Sequence, residues 1–239
     1  MTEVKFRPLF PSPMGYANFG ESVRELNKQI VYDIDTEMGI SQGNALEGKR
    51  TFSKNESSWQ SQPRMEDRYE SFSKLRDLIH KTQIPVLQQS GYENVAEQTH
   101  TRSLWANVCF DVGGYSRPHL HGTGHTLWSG VYYPKGLTEV VNLDDWDEGE
   151  TFHYSMPPNI DGMLVLFDPA KTTKQLIKSK DTSYSYFEYY GSEVSVIPRE
   201  SLLILFPAWM LHMVTPLTKK QKRYSISFAI NKNTDDRIL

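Results

Sequence analysis

The sequence predicts a mainly β protein, a double-sheet roll or barrel with α-helices packed on its outer face. From about Ser103 onward, short segments rich in Val, Tyr, Phe, Ile and Trp alternate with Gly, Pro, Asp and Asn, which is typical of antiparallel strands. Before that point, apolar residues recur at helical spacing. The 239-residue chain shows no internal repeat. We therefore predict a single domain, with residues 1–102 as a helical support region and 103–239 as the β core.

Two helices are predicted in the amino-terminal region. The first begins near Ser22, because Ser22 and Glu25 have the spacing of a capping box. Its apolar stripe consists of Val23, Leu26 and Ile30. The second helix fits residues 66–81, and Pro85 is expected to bend or end it. Residues 39–63 are rich in Ser, Asn, Gln and Gly and are predicted to form a loop.

Eight strands are predicted in the carboxy-terminal region, each bounded by turn-forming residues. They are Leu104–Val112, Arg117–His121, Trp128–Tyr133, Met163–Phe167, Glu193–Ile197, Ser201–Phe206, His212–Thr215 and Arg223–Ile230. Eight antiparallel strands at this spacing form a double-sheet roll or barrel, and the helices then pack outside it. The polar, lysine-rich connection 216–222 predicts a hairpin between the last two strands.

Composition limits the function classes. The 26 Lys and Arg residues against 29 Asp and Glu give a formal net charge of −3 without a long run of either sign, so nucleic-acid binding is not indicated. Cys109 is the single cysteine, which excludes an internal disulfide and favours a reducing, cytoplasmic location. The most apolar run, 202–211, is too short to span a bilayer, so no membrane partner is expected. A homodimer through the amino-terminal helices is compatible with the sequence.

Three of the seven histidines form a candidate metal site. His119 and His121 are two residues apart in a predicted strand, so their side chains share a face, with Cα atoms about 6.5 Å apart. Two such imidazoles can share a metal, because each ligand nitrogen lies about 2 Å from it. His212 lies in an apolar segment, which favours the neutral, metal-binding form of imidazole. The alternatives are a hydrogen-bonded histidine pair and a buried core histidine.

A candidate anion site lies eleven positions after His212. Strand alternation places Arg223 and Ser225 on one face, and a carboxylate would match the planar guanidinium in two-point contact. The alternative for Arg223 is an ordinary surface salt bridge. Tyr132 and Tyr133 point to opposite faces of their strand, so at most one of them lines the pocket. We take Tyr133 as the candidate ligand-binding residue.

Five ordered motifs resemble those of a known family. They are Pro118–His121, Trp128–Tyr133, Phe167–Pro169, Leu205–His212 and Arg223–Phe228, with Pro8–Pro11 and Trp105–Val108 as weaker additions. The family is an uncharacterised branch of the 2-oxoglutarate/Fe(II)-dependent dioxygenases. The resemblance covers most of the chain and is best from Trp105 to Asn231. It implies a double-stranded β-helix, or jelly roll, with Fe(II) at the mouth of the roll.

The resemblance also implies roles for the candidate residues. His119 and His212 would be ligands of Fe(II). Arg223, helped by Ser225, would bind the far carboxylate of the cosubstrate 2-oxoglutarate. The implied reaction is the hydroxylation of an unidentified substrate with O2, which releases succinate and CO2.

Position 121 departs from the wider superfamily, in which most relatives carry Asp or Glu there. Three neutral histidines leave Fe(II) with one more positive charge than two histidines and a carboxylate do, and dianionic 2-oxoglutarate could neutralise it. We favour His121 as the third ligand, with Asp168 and His125 as alternatives. Two other hypotheses stay open. One is a three-histidine iron dioxygenase or cupin-type enzyme without 2-oxoglutarate, and the other is a non-catalytic jelly-roll binding protein.

Overall fold

The computed structural model describes residues 12–43, 57–92, 96–121, 125–137, 152–153, 161–169 and 193–232. The motif at 8–11 lies outside these ranges. The described residues confirm a mainly β architecture with amino-terminal helices. Their strands form two antiparallel sheets, and two long helices pack on the larger sheet.

The predicted helices and strands are present, but many of their first and last residues differ from the predicted ones. The helices are α1 (Arg24–Gly43) and α2 (Glu70–Gln89). The strands are β1 (Gly15–Asn18), β2 (Ser58–Gln60), β3 (Thr99–Cys109), β4 (Ser116–His119), β5 (Thr126–Tyr133), β6 (Phe152–His153), β7 (Leu164–Phe167), β8 (Glu193–Val196), β9 (Leu202–Pro207), β10 (His212–Val214) and β11 (Arg223–Lys232). All eight predicted strands are present. The sequence does not indicate β1, β2 and β6, because two to four residues are too few to show an alternating pattern.

The order of strands shows how the chain divides between the sheets. The larger sheet has the order β1-β9-β5-β11-β3-β2, and the smaller sheet has the order β4-β10-β7-β8-β6. Consecutive strands β10 and β11 belong to different sheets, so the hairpin predicted between them is wrong. The connection between β10 and β11 is instead hydrogen-bonded to other segments of the chain. Thr215 N–H donates to the Met163 carbonyl, and Leu217 N–H donates to the Gly114 carbonyl. This crossing places His212 and Arg223 on opposite sheets.

Strand alternation divides the side chains of the larger sheet between two cores. One face packs on α1 and α2, with Phe72 and Phe228 among its fully buried residues. The other face packs against the smaller sheet, where Ile204 meets residues such as Leu166. Burial of apolar side chains on both faces holds the larger sheet in the middle of three layers.

Two helix predictions require correction. Ser22 forms no capping box, because its hydroxyl donates to the Phe19 carbonyl at 2.6 Å and a 3-10 turn over Gly20–Val23 leads into α1. Pro85 does not end α2, which continues past it. Proline removes a single N–H donor, and packing of the apolar helix face on the sheet compensates for that loss.

The predicted loop at 39–63 is only partly correct, because it includes the end of α1 and all of β2.

Cys109 is buried at the end of β3, as expected for a small core residue. In the described part of the chain, none of the helices combines the length and the apolar character needed to cross a membrane. The cytoplasmic location expected from the cysteine content stays a prediction.

Gly130 lies inside β5, where its neighbours leave no room for a side chain. An added Cβ would lie 2.5 Å from the carbonyl oxygen of Ile204 and closer still to the Phe228 ring. We expect Gly130→Ala to lower the free energy of unfolding, measured by urea denaturation, by about 1–3 kcal/mol because of overpacking. The control is Gly39→Ala in α1, where an added Cβ meets nothing within 4 Å; it should stabilise by up to about 1 kcal/mol. Equal effects of the two substitutions would contradict this explanation.

Candidate metal centre and anion site

Three imidazoles converge at one end of the space between the sheets. His119 ends β4 and His212 begins β10, and the two residues are direct partners in the antiparallel pairing of these strands. His121 lies two residues beyond the end of β4. The ligand nitrogens of all three lie within 4.8 Å of one another. His212 is buried, and the other two histidines are partly exposed.

The position of His121 has a different cause from the one predicted. Because β4 ends at His119, the two histidines do not lie on one strand face. The backbone N–H of His121 instead donates to the carbonyl oxygen of Ala208 at 3.0 Å, which attaches this segment to the turn before β10. The Trp105 indole packs beside the His121 ring, with 5.6 Å between ring centroids. Tertiary contacts therefore direct His121 toward the other histidines.

The donor set fits a divalent transition metal. Nδ1 of His119 donates to the Arg117 carbonyl at 2.7 Å, and Nδ1 of His212 donates to the Met210 carbonyl at 2.9 Å. Each ring therefore keeps the lone pair of Nε2 for a metal, which is how backbone carbonyls orient metal-binding histidines. The Nε2 atoms of His121 and His212 are 3.2 Å apart. With metal–nitrogen bonds of about 2.1 Å, that separation corresponds to a ligand angle of roughly 100°.

Neither alternative ligand belongs to this cluster. Asp168 follows β7 and His125 is exposed just before β5. Among the residues that the structure describes, the ligand atoms that come together are those of the three histidines. A divalent ion in this cluster would keep both of its charges, because imidazole ligands are neutral. An anion bound beside the histidines would supply the compensating charge.

Arg223 begins β11 on the opposite sheet and lines the same cavity as the histidines. Its side chain is buried, with the residue only 2% exposed. The guanidinium donates to the Gly162 carbonyl at 2.6 Å, to the Ser225 hydroxyl at 2.9 Å and to the Tyr133 hydroxyl at 3.2 Å. These partners are neutral, and none of the described carboxylates pairs with it. A buried cation without a counter-ion is costly, so this site is suited to an anion.

The phenol of Tyr133 does not supply the missing negative charge. Burial raises the pKa of Tyr133 above its ordinary value, and the nearby Arg223 opposes this only in part. The phenol therefore stays neutral at physiological pH. Tyr132 points to the opposite face of β5, where its hydroxyl donates to Asn27 Oδ1 of α1 at 2.5 Å.

Sequence reasoning missed the turn that positions Arg223. Gly162, whose carbonyl receives the guanidinium, has a φ of +62°, and an added Cβ would lie 3.1 Å from Cδ of Arg223. The preceding Asp161 is fully buried and accepts from the Thr218 backbone N–H at 2.6 Å. This contact anchors the connection that leads into β11. An Asp-Gly pair is a turn signal, but its distant partners are not visible in the sequence.

The histidines and Arg223 line one cavity of about 260 Å³. Residues 103–229, more than half of the chain, match the sequence model of a family described as "Putative 2OG-Fe(II) oxygenase". The chain belongs to this oxygenase family. The matched span contains all the candidate residues on both sides of the cavity.

Solved structures with similar folds include three relevant proteins. A prolyl-4-hydroxylase of Pseudomonas putida has a TM-score of 0.51 and 15% identity, with coverage of 93% of this chain and 94% of that chain. A prolyl hydroxylase of Trichoplax adhaerens, in complex with a hypoxia inducible factor peptide fragment, has a TM-score of 0.54, 13% identity and coverages of 92% and 84%. The epimerase SnoN, in complex with Fe³⁺, alpha ketoglutarate and nogalamycin RO, has a TM-score of 0.55, 10% identity and coverages of 93% and 80%. A search of curated proteins found no match.

These comparisons confirm the predicted fold and enzyme class. The structural similarities show the jelly-roll fold, and the family match shows a 2-oxoglutarate-dependent oxygenase that uses Fe(II) and O2. They do not support the hypotheses of an iron dioxygenase without 2-oxoglutarate or of a non-catalytic jelly roll. The role of each residue in this oxygenase remains a prediction.

Proposed function

We propose that this oxygenase hydroxylates a C–H bond of its substrate in the cavity between the two sheets. The proposed metal ligands are His119, His121 and His212. The proposed cosubstrate-binding residues are Arg223, Ser225 and Tyr133. One observation carries this proposal: the three-histidine cluster and the buried Arg223 guanidinium, whose hydrogen-bond partners among the described residues are all neutral, line the same cavity from opposite sheets.

Charge compensation favours 2-oxoglutarate as the molecule that joins the two sites. The histidine cluster leaves a bound Fe(II) with both positive charges, and Arg223 adds one more. A dicarboxylate carries a negative group at each end, so one molecule can serve the metal and the guanidinium together. The planar fork of Arg223 suits two-point contact with the far carboxylate. The neutral hydroxyls of Ser225 and Tyr133 hold the guanidinium in place for this contact.

The protein's own residues orient the reactants and exclude water. Bound Fe(II) would supply the redox chemistry, in which oxidative decarboxylation of 2-oxoglutarate to succinate accompanies substrate hydroxylation. Phe206 packs against the His212 ring at 4.8 Å between centroids, and Trp105 packs against the His121 ring. These aromatic contacts limit the motion of the ligands and keep apolar surface around the metal position.

The test is the anaerobic addition of Fe(II) and then 2-oxoglutarate to metal-free protein. We expect a weak visible charge-transfer band from the chelated keto acid, and formation of succinate when air is admitted. Succinate in place of 2-oxoglutarate is the control, because it carries two carboxylates but no keto group and should produce no band. Iron binding without a band would contradict the use of 2-oxoglutarate. Failure to bind iron would contradict the whole proposal.

We also propose that residues 1–239 act as one domain, with 1–102 supporting the jelly-roll core at 103–239. The helices and the larger sheet share one hydrophobic core, which supports a single domain. Besides the helices, residues 1–102 supply β1 and β2 at the two edges of that sheet. The homodimer through the amino-terminal helices is the associated proposal. Tyr32 and Ile40 of α1 are exposed and supply apolar surface for it. A cytoplasmic location remains proposed from the cysteine content alone.

A further inference from the structure

Beyond the proposed cosubstrate site, the described residues that line the cavity are uncharged. Among the described residues that line the cavity there is no aspartate, glutamate or lysine. Arg223 is the one arginine of this described lining, and the proposed function assigns it to the carboxylate of 2-oxoglutarate. Apart from the three histidines, the remaining polar groups of this described lining are carboxamides, hydroxyls, the indole N–H groups of two tryptophans and one thiol. A charged substrate group would therefore lose its hydration without gaining an opposite charge.

Strand register places two carboxamides side by side in this wall. Gln60 of β2 is the direct partner of Asn107 of β3, and Asn107 is the direct partner of Ser225 of β11. Directly opposed residues on antiparallel strands have Cβ atoms about 4.5–5.5 Å apart on the same face. Both carboxamide residues line the cavity. A row of neutral polar side chains thus runs from the proposed cosubstrate site to the edge of the larger sheet.

Asn107 is held in an orientation that suits ligand binding. Its Nδ2 donates to the Ser227 hydroxyl at 3.1 Å, which determines which way the carboxamide faces. A carboxamide has two N–H donors and an acceptor oxygen, so a second N–H and Oδ1 remain for a ligand. Trp105, the direct partner of Ser227, forms an aromatic wall between this row and His121.

We infer that Gln60 and Asn107 bind a carboxamide group of the substrate, and that the reacting part of the substrate is uncharged. A carboxamide offers a donor and an acceptor together, and this matches two neighbouring carboxamides. The apolar portion beside it would pack on Trp105. The inference rests on the proposed function, because it requires 2-oxoglutarate to occupy Arg223. An Asn or Gln side chain and a peptide bond both supply a carboxamide, and the test distinguishes these two sources.

The test uses protein loaded anaerobically with Fe(II) and 2-oxoglutarate and four probes of similar size. These are isobutyramide, N-methylisobutyramide, isobutyrate and isobutylammonium. Paramagnetic broadening of the methyl resonances of each probe reports binding near the metal and yields its Kd. We expect one of the amides to bind about tenfold tighter, or more, than either charged probe. A charged probe would leave hydrogen-bonding groups of Gln60 and Asn107 unpaired, and this lowers its affinity. Preference for the primary amide indicates a side chain, and preference for the N-methyl amide indicates a peptide bond.

Single substitutions test whether Asn107 and Gln60 are responsible for amide binding. Asn107→Ala and Gln60→Ala should each weaken amide binding about fivefold or more, as the loss of one hydrogen bond requires. Asn107→Asp should transfer the preference to isobutylammonium. Gln62→Ala is the matched control, because Gln62 is an exposed carboxamide two residues beyond Gln60 and does not line the cavity. It should leave the Kd unchanged.

The outcomes separate this inference from the proposed function. If the charge-transfer band does not form in these samples, the proposed cosubstrate site is wrong. If the band forms but a charged probe binds as tightly as the amides, the carboxamide assignment alone is overturned. Unchanged amide binding in both alanine variants, or no broadening of any of the four probes, also overturns it.

Discussion

Replacing His212 with alanine is expected to lower the affinity for Fe(II) by more than about 100-fold. Loss of a group that only hydrogen-bonds to a metal ligand lowers metal affinity by about 10- to 100-fold, and loss of the ligand itself should have a larger effect. His212 is the buried member of the cluster, and its Nε2 lies 3.2 Å from Nε2 of His121. His119→Ala should have the same effect. The measurement is the iron content of each protein after anaerobic loading and gel filtration, with the unaltered chain expected to keep stoichiometric iron.

His125→Ala is the matched control for the histidine variants. His125 is exposed and lies outside the cluster, so its loss should leave the iron content unchanged. If His125→Ala loses iron while His121→Ala keeps it, the choice of the third ligand is wrong. Full iron content in both His119→Ala and His212→Ala would contradict the proposed metal centre itself.

Arg223→Ala is expected to keep iron but to weaken 2-oxoglutarate binding by about 30-fold to several thousand-fold. This range corresponds to about 2–5 kcal/mol, the cost of removing one partner from a buried, hydrogen-bonded charge pair. The Kd is measured by anaerobic titration of the charge-transfer band. Retention of iron by the variant shows that it is folded, because the metal ligands come from β4, the segment after it and β10.

Two conservative changes and one control define the role of Arg223. Arg223→Lys keeps the charge but loses the planar fork, so its affinity for 2-oxoglutarate should lie between those of Arg223→Ala and the unaltered chain. Tyr133→Phe removes one hydroxyl that accepts from the charged guanidinium and should weaken binding by about 12- to 160-fold, which corresponds to about 1.5–3 kcal/mol for a hydrogen bond to a charged group. Lys222→Ala should have no effect, because Lys222 is exposed and its ammonium contacts Asp35 of α1. Unchanged 2-oxoglutarate affinity in Arg223→Ala would remove Arg223 from the cosubstrate site.

Local patterns account for what the sequence predicts well. Alternation within a single strand needs only neighbouring residues, so it correctly places Arg223 and Ser225 on one face and separates Tyr132 from Tyr133. Helical spacing likewise predicts both long helices. The short strand β2 and the passage of α2 through Pro85 escape these rules. β2 is stabilised by pairing with β3 at the edge of the larger sheet, and α2 by packing on that sheet, and both effects outweigh local preference.

The sequence by itself determined the mainly β class, the oxygenase resemblance and the candidate residues on each strand, because these depend on periodicity and on short motifs. Only the tertiary structure decided that β10 and β11 lie on different sheets, so that His212 and Arg223 face one cavity. It also decided that the Ala208 carbonyl positions His121 and that Gly162 receives Arg223. These contacts join segments about 60 to 90 residues apart, and strand pairing at that range depends on the energy of the whole core rather than on any local pattern.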